Sequence, residues 1–178
     1  ELRKNLEENP NIGLVAPKLL YPEGGVQRSC KKFPTVPIKV SKFVPLKVLR
    51  DWAKSSELYE QWVYEGKGTN IIDVDHCISA VWLVRREALN EVGKLDENIF
   101  YAPEDVDMCL RMWLGGWRVS YNPEVSIIHD TQRISYSNIS FTFEHAKGLM
   151  YYFNKHGYWF SREKIYTELE EMNEYFHR

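Results

Sequence analysis

The apolar positions of this chain follow changing rhythms, and each change marks an element. Residues 1–9, ELRKNLEEN, are charged and amphipathic and predict a helix stopped near Asn9-Pro10. IGLVAPKLLY is almost continuously apolar and predicts a buried strand, with Pro17 suggesting its end or an edge. YPEGG predicts a turn, and VQRSC a short strand after it. From Phe33 to about Leu58, Pro34, Pro37 and Pro45 argue against continuous structure, so a long loop with a short helix is expected. NIIDVDHCISAVWLVRR predicts a strand, straight or kinked, and RREALNEVG a short helix closed by Gly93. In PEDVDMCLRMWLGG, Pro103 takes the favoured first helical position and Gly115-Gly116 end the helix. WRVSY and EVSIIH predict strands split by Asn122-Pro123. The tail predicts two helices, from Ser137 to His156 and from Ser161 to His177, separated by Gly157.

This order is mixed α/β, with no internal repeat, low-complexity tract or linker between domains. At 178 residues, 44% apolar and 14% aromatic, the chain is long and apolar enough for one real core. No run of 18 apolar residues occurs, so no spanning helix is expected. The charged N-terminus is no secretory signal, and its start without Met, inside a predicted helix, points to a fragment of something longer. Cys30, Cys77 and Cys109 are distant in sequence and lack a CxxC pair. A reducing compartment is expected, with Cys109 a small buried hydrophobe beside Val106, Leu110 and Trp113.

Charge changes the picture more than composition does. Residues 28–54 hold eight cations against the single acid Asp51, a net of +7 that leaves −9 for the rest of a chain whose total is −2. Phe33, Val36, Ile38, Phe43, Leu46 and Trp52 interleave with those cations. Such a segment suits anionic lipid or phosphate groups, or alternatively a solvated loop whose apolar residues cover the core.

Acids cluster in two Asp-any-Asp patterns, Asp73/Asp75 and Asp105/Asp107. Residues two apart on a helix point about 200° apart, so Asp105 and Asp107 do not chelate one ion, whereas Asp73 and Asp75 on a strand could. Glu104 and Asp105 fall in the first helical turn, where free N–H groups and the helix dipole stabilise an anion by roughly 0.3–1 kcal/mol. That alone is an ordinary stabilising feature. Phe100 and Tyr101, however, build an apolar rim at the same turn, and a carboxylate there is held low by the dipole and raised by desolvation, as a general base requires. His129, ending the strand VSIIH, would need oxygen partners from elsewhere to serve as a metal ligand.

The succession ISAVWLVRREALNEVGKLDENIFYAPEDVDMCLRMWLGGWRVSYNPEVSIIH resembles the second half of the catalytic domain of family 2 glycosyltransferases, inverting enzymes of the GT-A fold. Rhamnosyltransferase-type members that build bacterial surface polysaccharides are the nearest in pattern, and NPNIGLVAPKLLYPEGGVQRSCKKFP matches their usual upstream run. The resemblance covers roughly residues 1–131, the acceptor-side half, and leaves 132–178 as a C-terminal helical extension. It implies Asp105 as the base that deprotonates the acceptor hydroxyl, with Glu104 orienting acceptor or base. It implies acceptor contacts from Ser79, Ala80, Trp82 and Tyr101, and His129 as a ligand completing the shell of Mg²⁺ or Mn²⁺ at the donor diphosphate. Arg85 and Arg86 are expected to be structural or near the diphosphate, and Asp107 a helix-surface acid near Arg111 at i+4.

The expected partners are a nucleotide-sugar donor, a glycan or lipid-linked acceptor, and a peripheral membrane contact through 28–54, with no nucleic acid. The expected location is cytoplasmic, at the inner face of the membrane. Two departures stand out: Ser79-Ala80 replaces the usual Gly-Ala pair, which narrows the acceptor pocket, and the donor-binding half with its Asp-any-Asp metal motif is missing. The isolated fragment is therefore expected to be inactive, and the alternative is a non-catalytic glycan- or partner-binding module. A hydrolase with paired carboxylates ranks last, because adjacent acids on one helix cannot flank a bond at ~5 or ~6.5–9.5 Å.

Overall fold

The computed structural model describes residues 1–66, 71–131 and 139–176. Its elements are, in order, α1 (Leu2–Glu8), β1 (Ile12–Leu20), β2 (Cys30–Lys31), α2 (Val36–Ser41), α3 (Lys47–Glu57), α4 (Gln61–Glu65), β3 (Ile72–Asp73), β4 (His76–Cys77), β5 (Leu83–Val84), α5 (Arg86–Val92), α6 (Glu104–Leu114), β6 (Arg118–Ile128), α7 (Ile139–His156) and α8 (Glu163–Phe176). Four strands form one sheet in the order β3-β6-β1-β5, while β2 and β4 pair separately. β1 and β6 run parallel, and β3 and β5 flank them antiparallel, so the sheet is mixed. The α/β order and the C-terminal helices are thus present.

Burial on both faces explains why β1 reads as continuously apolar: it is a central strand, and Ile12 through Pro17 are all buried. Pro17 does not end it. The register shifts between Pro17 and Lys18, which pair with Asn122 and Ser126, so β6 bulges by three residues there. The Asn122 side-chain oxygen accepts the N–H groups of Glu124 and Val125 within the bulge, at 2.9 and 3.3 Å. This corrects the predicted split at Asn122-Pro123: both prolines fall at one irregularity, so a single strand carries through.

Two other readings are also corrected. Residues 71–86 are not one strand, and Asn70 lies outside the described residues. They supply β3, β4 and β5 to three different partners. The stretch from Phe33 to Leu58 is mostly helical, with Pro37 in the first turn of α2 and Pro45 between the helices, where neither breaks one.

α6 lies at the centre of the molecule. Its Met108, Cys109 and Met112 join the core against β1, β4 and β6, whereas Val106 and Leu110 join a second core with Phe33, Tyr152, Phe153 and Ile165. The C-terminal helices therefore pack on the same helix that carries the acidic cluster. No described helix is long and apolar enough to cross a membrane.

Candidate active site

The carboxylate pair is built by three segments meeting at the start of α6. Glu104 and Asp105 open the helix directly after the cis Ala102-Pro103 peptide. The turn after β4 approaches them, and Ser79 Oγ donates to Glu104 Oε1 at 2.8 Å. From the other side comes α7: the ring of Phe141 lies 5.0 Å from that of Tyr101, and His145 meets Tyr101 edge-on at 6.5 Å. Gly148 permits this approach, because a Cβ there would fall inside contact distance of the Ala102 carbonyl.

Asp105 is half-buried, and its Oδ1 accepts the Val106 N–H at 2.8 Å. Burial, and then the neighbouring Glu104 carboxylate, push its carboxyl up to about 6, while Lys31 and Lys39 pull in the opposite direction. An Asp poised there accepts a proton readily near neutral pH. Ser79 and Ala80 are exposed beside the pair, and Tyr101 is half-buried. Trp82 packs largely into the sheet-side core, but its indole N–H is buried with no hydrogen-bond partner among the described residues.

His129 stands apart, at the end of β6. Its Nδ1 lies 3.0 Å from Gln27 Oε1. The Gln27 amide nitrogen donates to the Leu20 and His129 carbonyls at 3.1 and 2.5 Å, which fixes the amide oxygen as an acceptor. In the neutral ring Nδ1 would then carry the proton and Nε2 a lone pair, the tautomer a metal-ligating histidine uses. Among the described residues no group of three His, Cys, Asp or Glu side chains is arranged to hold a metal. His129 is thus not part of a ready-made metal centre among the described residues.

Several expectations change. Asp107 is wholly buried rather than on the helix surface. It pairs with Arg111 at 2.8 Å as expected, but also with Lys155 at 2.7 Å and His156 at 2.8 Å from α7. Burial raises its carboxyl, yet hydrogen bonds from His156, Lys155 and Arg111 outweigh that and hold it down at about 2. Asp73 and Asp75 diverge: Asp73 takes Arg118 at 2.8 and 3.0 Å, whereas Asp75 accepts the Phe33 N–H and the Tyr59 and Tyr166 hydroxyls. Arg85 is structural, donating to the carbonyls of Leu6, Asn9 and Ile12; Arg86 is exposed. The three cysteines are free and buried, with Cys30 facing Cys77 across β2 and β4. Burial pushes the Cys30 thiol up to about 12.

Sequence reasoning missed Phe141, His145, Lys31 and Lys39. Phe141 and His145 reach Tyr101 from α7, and Lys31 and Lys39 act on Asp105 from β2 and α2, so no pattern local to α6 marks them. Two recesses, of about 280 and 600 Å³, lie at α8 and contain none of the residues around Asp105. Asp75 in the smaller one is already engaged by three donors.

In sequence the chain is similar to glycosyltransferases of the rhamnosyltransferase type. An N-acetylglucosaminyl-diphospho-decaprenol L-rhamnosyltransferase of Mycobacterium tuberculosis is 29% identical over 122 residues, 67% of this chain and 38% of that protein. Rhamnosyltransferase WbbL of Escherichia coli is 39% identical over 56 residues, 32% of this chain and 21% of the relative. The matched stretches thus span well under half the length of either relative. No family model matches the chain.

Proposed function

We propose that this chain is the acceptor-side part of a family 2 inverting glycosyltransferase of the GT-A type, acting on a nucleotide-sugar donor and a glycan or lipid-linked acceptor. The observation that carries this reading is Asp105: a half-buried carboxyl raised to about 6 at the mouth of α6, beside Glu104 and the exposed turn at Ser79. Asp105 takes the proton of the acceptor hydroxyl as its oxygen attacks the anomeric carbon, and the nucleoside diphosphate leaves from the opposite face. Glu104, hydrogen-bonded to Ser79, orients the acceptor, and Tyr101 with Trp82 supplies an apolar wall. His129 would offer Nε2 to a Mg²⁺ or Mn²⁺ ion, which offsets charge on the departing diphosphate when bound.

The M. tuberculosis relative is named for a lipid-linked acceptor, a sugar on a diphospho-decaprenol. The same acceptor class is proposed here, which places the protein in the cytoplasm at a membrane surface, with residues 28–54 towards the membrane. This chain by itself is not expected to transfer sugar. Removing a general base typically costs ~10²–10⁴ in rate, so Asp105→Asn in the full-length protein should lose transfer by that factor while remaining folded. Near-normal transfer by that variant would overturn the assignment.

A further inference from the structure

The helices α2 and α3 form a hairpin that buries Ile38 but leaves several of its large apolar side chains exposed. Phe43 at its tip is 84% exposed and Val48 79%, with Val40, Leu46 and Trp52 also open to solvent. Such a concentration of exposed apolar side chains on one excursion is unusual for a free surface. The cause is the arrangement of α3 in three sectors. Ala53 and Glu57, four apart, turn inward. Val48 and Trp52, also four apart, form an exposed apolar face, while Lys47, Arg50 and Lys54 form a separate exposed cationic face. None of those three cations has an ion-pair partner among the described residues.

The hairpin is braced as well as exposed. Glu57 is buried and accepts Lys39 at 2.9 Å and Lys42 from α2. Burial opposes its ionisation, but Lys39, Lys31 and Lys42 outweigh that and keep it charged. The tip is therefore held out from the body by a closed cation–carboxylate staple. Lys39 at its base acts electrostatically on both Asp105 and His145. On α7, Phe143 adds another exposed ring, 64% accessible, two residues before His145.

We propose that the α2–α3 hairpin inserts Phe43, Leu46, Val48 and Trp52 into the interface of an anionic membrane, with Lys47, Arg50 and Lys54 on the lipid phosphates. Exposed apolar side chains and unpaired cations carried on one projecting element are the pattern of segments that dock on such a surface. A protein partner would leave the three cations facing acids it must supply at matching positions, whereas an anionic bilayer supplies phosphates everywhere. This inference rests on the transferase reading for its purpose, since docking there would bring a membrane-borne acceptor to Asp105.

The test is co-sedimentation of the full-length protein with vesicles of phosphatidylcholine alone or with phosphatidylglycerol added. Wild type should bind the anionic vesicles, more weakly as salt rises, and Phe43→Ser/Val48→Ser should weaken binding by about tenfold or more. Both side chains are exposed, so the variant should keep the wild-type circular dichroism spectrum and melting temperature. Lys47→Glu/Arg50→Glu/Lys54→Glu should abolish the preference for anionic vesicles. Unchanged binding by the serine variant overturns the proposal, as does wild type that ignores anionic vesicles. So does a dimer that the serine variant converts to monomer without any vesicle binding. Binding is read without a transfer assay, so a protein that docks but never transfers sugar sinks only the transferase reading.

Discussion

At the scale of single residues, the two acids Asp105 and Asp107 share one helix turn and face opposite conditions. Asp105 has an ordinary value of 3.8 that rises to about 6, so its ionisation opposes folding. Its neutral form is favoured below about pH 4, and the penalty grows as pH rises towards 6. That rise corresponds to up to about 3 kcal/mol, so Asp105→Asn should raise stability at pH 7 and do little at pH 4. Urea titrations at the two pH values test this, and a variant equally stabilised at both would contradict it. The same value should give the full-length protein's kcat/KM an acidic limb near pH 6. Asp107 behaves conversely. Held down at about 2 from 3.8, it contributes stability that is present above about pH 4 and lost as pH falls towards 2. Asp107→Asn leaves Lys155 and Arg111 without their buried partner and should cost about 3 kcal/mol at neutral pH, measured by the same titrations.

At the scale of elements, the packing of α7 on the turn before α6 sets where Glu104 and Asp105 point. An exposed helical Gly→Ala substitution normally gains up to ~1 kcal/mol in propensity. At Gly148 the added methyl group meets the Ala102 carbonyl, so overpacking of about 1–3 kcal/mol should reverse the sign. A higher melting temperature for Gly148→Ala would show that the helix is not seated there. The helices α1, α5 and α6 are readable in the sequence because their apolar spacing agrees with the residues that stop them, Asn9-Pro10, Gly93 and Gly115. The fragmentation of 71–86 is not: the same apolar run serves three partners, and pairing depends on residues far away along the chain. The hairpin is hidden for a related reason. Prolines argue against helix only in its interior, and here they stand in a first turn and between helices. Of the site, the acids can be read locally and Ser79 enters only through the resemblance, while the contribution of α7 can be read from neither.

At the scale of the whole molecule, the Glu104–Asp105 pair stands beside an exposed turn, and among the described residues no group of three His, Cys, Asp or Glu side chains is arranged to hold a metal. Titration of Mn²⁺ with UDP and dTDP should therefore show little binding by this chain alone and clear binding by the full-length protein. Tight binding by the short chain would move attention to Asp73, Asp75 and His129 and against the proposed division of labour. The three cysteines, closed inside the core with none on the surface, carry a practical consequence. Thiol reagents have nothing native to modify while these residues stay folded. A fluorophore or nitroxide attached to this chain through Phe43→Cys would consequently report on the hairpin tip alone, with no cysteine-free background to engineer, and its quenching by probes placed at different bilayer depths would give a ruler for how far the tip descends.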